Sequence, residues 1–504
     1  MTLEKLAGMV LALDGRRELT AELVGSKAHN LNRMSALGMP VPPAFTIRVA
    51  VCPMYHGHGQ TLPKSVWEEV LSHLSNLERS VGRAFGGQHS PLLVSVRSGA
   101  AHSMPGMMDT VLNLGITERL RDVLAVETGD ACWASNTWER FHRSYTAIVG
   151  TFPPPDPREQ LRAAIGAVFK SWFSERAVAY RERHGINDLL GTAVTVQAMV
   201  FGNRDDRSGT GVVFSRDPVL GKPELFGEWL SRAQGEDVVS GERTPLPVAA
   251  LAEEQPENYR LLTQLAARLE ADAQDMVDIE FTIESGRLYL LQARVGKRSA
   301  RAAARIAVDM VTEGLISEST ALDRITVDQA RRIAQETVIA HEPVALSRGI
   351  GAAPGIGVGV AVTDLGEANR LADQGVSVVL IRPSTSPDDV PTMFAATAVV
   401  TEQGGSTSHA ALVCRELGLP CVVGCGKGTA DKLAGLMVTV DGSTGRIYPG
   451  VIPPAVTPGA QSAKDRVIES LTTWAARQDA GETPDLGSLT ELLATRERLR
   501  SPQK

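Results

Sequence analysis

The residue whose surroundings offer the most chemistry is His409, inside the run EQGGSTSHAALVCRELGLP at 402–420. The apolar stretch ATAVVT reads as a strand feeding the pair Gly404-Gly405, and AALVCREL continues as a helix that Gly418 can terminate. His409 therefore falls at a helix start. The unpaired amides and positive dipole end there can hold a phosphoryl group, while the same field disfavours imidazolium and keeps the ring a neutral nucleophile. Two glycines let a donor's phosphate chain approach the backbone closely. The plainer alternative is that Ser408 is an N-cap and His409 merely follows it.

Two further segments carry phosphate-directed chemistry. In VSVRSGAAHSMPGMMDTVLNLG, 94–115, Arg97 precedes a glycine-containing loop with Pro105-Gly106, so one fixed guanidinium and several backbone donors could cover a polyphosphate. An ordinary surface turn would read the same way. VDIEFTIESGRLYLLQAR, 277–294, has the pattern of a hairpin. Asp278 and Glu280 are two apart on its first strand, Gln292 and Arg294 two apart on its second, and each pair shares a face. Oxygens facing a triphosphate are the hard ligands magnesium prefers, although a solvated outer face is the commoner use of such residues. A two-residue Ser285-Gly286 turn would send Glu280 and Gln292 to opposite faces. The expectation is instead a three-residue loop, Glu284 to Gly286 or Ser285 to Arg287, which puts all four polar side chains on one face.

The elements that must position these groups are spread over 504 residues, too many for one core. PLLVSVRSG at 91–99 reads as a buried strand, a long helical region follows, and TFPPPDP at 151–157 punctuates it. GTAVTVQAMVFG at 191–202 alternates like a strand, and the segment from Arg298 to about Ala340 is helical by period. HEPVALSRGIGAAPGIGVG reads as a linker into a second domain, whose strand-like runs VSVVLI, ATAVVT, CVVG and MVTVDG are separated by helical or glycine-rich text. The division expected is 1–340, 341–461 and a helical tail at 462–504.

Hydrophobic residues at 43% and charged residues at 22% are ordinary for a globular protein, and 51 basic against 58 acidic side chains give a net charge of -7. That balance offers no sequence-independent footing on a nucleic acid or an anionic membrane. Five cysteines, at 52, 132, 414, 421 and 425, form no CxxC pair and fit a reducing compartment. The apolar run Leu6 to Leu13 is short and lacks a cleavage site, and no stretch approaches the roughly 18 apolar residues of a membrane span. The expectation is a soluble, cytoplasmic protein.

GGSTSHAALV resembles the phosphohistidine signature of the phosphoenolpyruvate-utilising enzymes, and the 94–115 block is similar to the pyruvate, phosphate dikinase branch of that family. The water-dependent phosphoenolpyruvate synthases have an unlike loop there. VGSKAHNLNRMSALGMPVPPAFTI near the start, TWERF, SGTGVVFSRDP, AQGEDVVSGERTP and DIEFTIESGRLYLLQARVGKR follow in family order, so the resemblance covers about 1–450.

The resemblance implies an α+β and α/β multidomain protein: an ATP-grasp-like nucleotide-binding region, then a swivelling phosphohistidine domain. It implies that Lys27, Arg97, Gly106, Arg140, Asp278 and Arg294 bind ATP or phosphate, that Glu280 and Gln292 hold Mg2+, and that His409 takes the β-phosphoryl group. Orthophosphate would receive the γ-phosphoryl group and AMP would leave. Thr407 matches the position that a regulatory protein modifies in the family. The family's C-terminal TIM barrel, which binds pyruvate or phosphoenolpyruvate, needs about 250 residues, and 43 follow Gln461. The acceptor is therefore open: pyruvate through a separately supplied domain, a different acceptor, or none if the chain is a nucleotide sensor.

Overall fold

The structure is a computed structural model, and it describes residues 8–101, 108–183, 186, 191–240, 245–334, 339, 343–386, 389–452, 458–479 and 489–500. They form two compact units, one of residues 1–208 and 281–293, the other of 209–280 and 294–504. Helix and strand are mixed in both.

The first unit is organised on a five-stranded antiparallel sheet whose order is Val10–Ala12, Ala44–Ile47, Ala193–Ala198, Val94–Gly99, Thr110–Leu114. Val94–Gly99 lies inside the sheet with Val94 and Val96 fully buried, as its apolar text predicts. The helices Ala131–Val149 and Pro157–Ser171 cover it through Phe141, Tyr145, Ile165 and Phe169. Each starts where chemistry favours a start: Asp130 accepts from the amide of Trp133, and Asp156 from that of Arg158 just before Pro157. The sequence reads a loop and then a long helical region after 91–99, but Thr110–Leu114 is a strand. Asn113, at φ 57°, breaks the alternation that would have announced it.

The second unit holds three assemblies. Strands Leu246–Pro247, Phe226–Ser231 and Gly209–Phe214 run antiparallel. Behind them, Arg216 is buried and donates to both Glu270 and Glu313, while the Asp217 carboxylate accepts from the amides of Val219 and Leu220. The SRDP text is thus a structural staple. Helices Ala300–Thr312, Glu318–Asp323 and Val327–Ala334 share a core with Pro458–Asp479 and Leu489–Arg500 through Ile306, Met310, Leu322, Leu471 and Leu493.

The third assembly is an eight-stranded sheet. Its centre is parallel, Ile356–Val362 beside Val378–Arg382, Ala398–Thr401 and Cys421–Val423. Leu365–Asp373, the short Val390–Met393 and His409–Leu417 lie in its crossovers. Here the linker reading at 341–359 gives way, since Ser347–Arg348, Ile350–Ala353 and Ile356–Val362 are all strands. Gly357 and Gly359 do not break the strand. A Cβ on either would stand 2.4 Å from the Thr397 carbonyl oxygen or 2.5 Å from that of Ser377, so glycine permits the neighbouring backbone to close in. Among the described residues no helix is long and apolar enough to cross a membrane.

The hairpin differs from expectation at its turn. Its strands are Val277–Glu284 and Arg287–Val295, leaving only Ser285 (φ 49°) and Gly286 (φ 84°), a two-residue turn of primed type. Ser285 tolerates a left-handed backbone because Asp205 and Ser208 fix it: its hydroxyl donates to Asp205 at 2.5 Å and its amide to the Ser208 hydroxyl at 2.9 Å. Strict alternation from this turn would separate Asp278 from Arg294, as it would Glu280 from Gln292. Arg294 nevertheless meets Asp278 at 2.8 Å at the open end of the hairpin.

Candidate functional site

Ser408 is extended (φ -64°, ψ 161°), its hydroxyl accepts from the amide of Ala411, and His409 is the first residue of the helix His409–Leu417. The N-cap is therefore present, and the histidine stands on it at the dipole's positive end. Its Nδ1 lies 3.2 Å from the Thr385 hydroxyl. In the tautomer whose Nδ1–H donates to Thr385, Nε2 carries the free lone pair. Burial pushes the imidazole pKa below its ordinary value, opposed by the Asp389 carboxylate. Asp389 is itself occupied, accepting from the Ser386 amide at 2.6 Å and ion-pairing with Arg382 at 3.2 Å. Burial thus favours the neutral ring, and the Thr385 hydroxyl fixes its orientation.

The loop before it is gripped by a carboxylate. Glu228, on Phe226–Ser231, accepts from the amide and hydroxyl of Ser406 through Oε1 and from those of Thr407 through Oε2, the hydroxyls at 2.9 and 2.6 Å. A Cβ at Gly405 would fall 2.0 Å from Oε1, which explains the second glycine. Thr407 is only 2% exposed. On the other side of the loop, Arg415 donates to the carbonyls of Ala352 and Ser406.

At the open end of the hairpin, Arg294 is bonded to Asp278 Oδ2, and burial raises the pKa of Asp278 against the lowering effect of that guanidinium. Asp278 is 2% exposed, and its Oδ1 has no hydrogen-bond partner among the described residues. Glu280 acts electrostatically on both members of the pair. Gln292 is buried. No cluster of three or more His, Cys, Asp and Glu side chains among the described residues is arranged to hold a metal. An orphaned carboxylate oxygen beside a second carboxylate suits magnesium, which usually takes one or two protein oxygens and completes its shell with water and phosphate.

In the first unit, the Lys27 and Arg97 segments come together. The helix Ala21–Ala36 is broken at Gly25 (φ 79°), where a Cβ would stand 2.0 Å from the Gly99 carbonyl oxygen, and the Ser26 amide donates to Ala100 at 2.8 Å. Lys27 thus leaves its helix beside the end of the strand that bears Arg97. Arg140 projects from Ala131–Val149 with its Nε donating to Asn136 at 2.9 Å. Gly106 lies outside the described residues. Sequence reasoning missed Glu228, Thr385, Asp389 and Arg415. The available signals were one acid in the apolar strand text FGEWLS and one arginine in the helix text AALVCREL.

The profile of the family "Pyruvate phosphate dikinase, AMP/ATP-binding domain" matches residues 58–256 and 247–315, and that of "PEP-utilising enzyme, mobile domain" matches 375–445. A pyruvate, phosphate dikinase of Clostridium symbiosum is 38% identical over 496 residues, covering 85% of this chain and 56% of that protein. One from Rhizobium meliloti (strain 1021) is 39% identical over 514 residues, covering 87% and 57%. Pyruvate, phosphate dikinase 2 of Zea mays is 39% identical over 501 residues, covering 86% and 57%. The chain spans about half the length of the curated relatives it matches. It belongs to the pyruvate phosphate dikinase family, with the AMP/ATP-binding domain followed by the mobile domain of the PEP-utilising enzymes.

Proposed function

We propose that the chain is an ATP-dependent phosphotransferase of the pyruvate, phosphate dikinase type, in which His409 carries the phosphoryl group. The observation that carries this reading is the imidazole at the start of His409–Leu417 with Nδ1 beside Thr385, where burial favours its neutral form. Nε2 attacks the β-phosphorus of ATP, the bond to the α-phosphate oxygen breaks, and AMP leaves; the γ-phosphoryl group goes to orthophosphate as pyrophosphate. Lys27, Arg97 and Arg140 neutralise the phosphate chain, Gly106 covers it, and Arg294 orients Asp278 against it. Mg2+ would be held by Glu280 with the orphaned oxygen of Asp278 in support, and would draw charge from the phosphoryl oxygens; the two-residue turn removes the argument that set Gln292 beside them.

Pyruvate is the proposed final acceptor, giving phosphoenolpyruvate. Thr407 is the proposed regulatory position: a phosphate there would face the Glu228 carboxylate that its hydroxyl now bonds. The reading fits a reducing cytoplasm. Isotope exchange tests the nucleotide half of it. Labelled AMP should enter ATP in the presence of Mg2+ and orthophosphate, because the step that releases AMP and the step that releases pyrophosphate are both reversible. Exchange into ADP instead, or none, would contradict the β-phosphoryl route.

A further inference from the structure

Arg415 is 3% exposed, yet none of its nitrogens reaches a carboxylate. Nε donates to the Ala352 carbonyl at 2.7 Å, Nη2 donates to the Ser406 carbonyl, and Nη1 has no partner among the described residues. The guanidinium lies over the Phe214 ring, 5.6 Å from its centroid. Acids face it at longer range: Glu228, Asp217 and Asp278. A buried cation spent on two carbonyls is costly unless the geometry it enforces matters.

That geometry concerns one peptide unit. The Ser406 carbonyl and the Thr407 amide belong to the same planar group and point in opposite directions. Arg415 takes the carbonyl, and Glu228 Oε2 accepts from the amide at 3.3 Å. The peptide dipole is thus aligned between a guanidinium and a carboxylate, two residues before the nucleophile. If the carbonyl were released, rotation of this plane would turn the Thr407 amide away from Glu228. The loop would then lose the orientation in which Phe226–Ser231 receives it.

We propose that Arg415 is a positioning residue that clamps the Ser406–Thr407 peptide against Glu228, and so sets how His409 is presented to its phosphoryl donor. The inference rests on His409 being the phosphoryl carrier. It separates presentation from reactivity: ATP must find His409 in the clamped arrangement, whereas a small donor such as phosphoramidate, which transfers its phosphoryl group to imidazole and releases ammonia, needs only an exposed lone pair.

The test compares both donors on wild type, Arg415→Met, Arg415→Lys and Arg415→Ala. Losing a charge-assisted hydrogen bond predicts that Arg415→Met slows ATP-driven labelling about 10- to 100-fold, with phosphoramidate labelling changed less than about threefold. Arg415→Lys, which keeps the charge but can serve fewer carbonyls, should fall between. Millimolar guanidinium ion should restore part of the ATP-driven rate to Arg415→Ala and none to wild type. Equal losses with both donors would reduce Arg415 to a fold-holding residue, and no loss with either would overturn the clamp. If wild type takes label from neither donor, the His409 reading fails and the clamp falls with it.

Discussion

Replacing Glu228 by glutamine changes one atom and should nearly abolish transfer from ATP to His409. In the structure two carboxylate oxygens accept four hydrogen bonds, two from amides and two from hydroxyls. Glutamine keeps one acceptor and turns an NH2 toward a pair of donors. A hydroxyl can rotate to accept from that NH2; an amide cannot, and is left buried without a partner. Such an orphan costs about 1–3 kcal/mol, and the remaining bonds drop from charge-assisted to neutral, about 1 kcal/mol each. Relief of the carboxylate's desolvation offsets part of this. A net loss on the order of 3 kcal/mol corresponds to about a hundredfold lower occupancy of the gripped loop. The assay is the initial rate of His409 labelling from ATP labelled in the β position, with ATP affinity measured separately by equilibrium binding. Labelling should fall about a hundredfold while affinity stays within about twofold. Wild-type labelling by Glu228→Gln would refute the role given to this grip.

Other expectations follow from single groups. His409 has a depressed pKa, so the native state prefers neutral imidazole; the stability this contributes is present above the ordinary value of 6.5 and is lost as pH falls through the lower folded value. Labelling should therefore be flat above pH 6.5 with an acid limb below it, and urea titrations of wild type and His409→Asn should diverge only there; an acid limb above 6.5 contradicts the burial argument. Asp278→Asn removes the charge from the orphaned oxygen and should raise the Mg2+ needed for half-maximal labelling about tenfold, one charge-assisted contact. An unchanged Mg2+ dependence would remove Asp278 from the metal's surroundings. Thr407→Glu places a second carboxylate against Glu228 and should suppress labelling; unchanged labelling would show that charge at this position does not matter.

The sequence exposes features governed by local rules. Ser408 and Gly418 bound the helix of His409, the β-branched runs of 378–401 are parallel strands, and the hairpin at 277–295 is where alternation puts it. Features that depend on distant partners stay hidden. Ser285 joins a two-residue turn because Asp205 and Ser208, some 80 residues earlier, fix its left-handed backbone. Gly357 and Gly359 read as linker because their use, admitting a neighbouring carbonyl, leaves no periodic mark. Glu228 grips residues 178 and 179 positions further on, and nothing in FGEWLS announces it. Lys27 and Arg97 were visible one by one; the contact of Gly25 with Gly99 that joins their segments was not.

The central claim is that His409 receives the β-phosphoryl group of ATP. Incubating the chain with Mg2+, orthophosphate and ATP labelled in either the β or the γ position, then digesting and locating the label, tests it directly. The account predicts acid-labile, alkali-stable label on the peptide containing His409 from β-labelled ATP, label in pyrophosphate from γ-labelled ATP, and no protein label in His409→Asn. Label from the γ position that stays on the protein in excess orthophosphate, or β label that survives in His409→Asn, would contradict it.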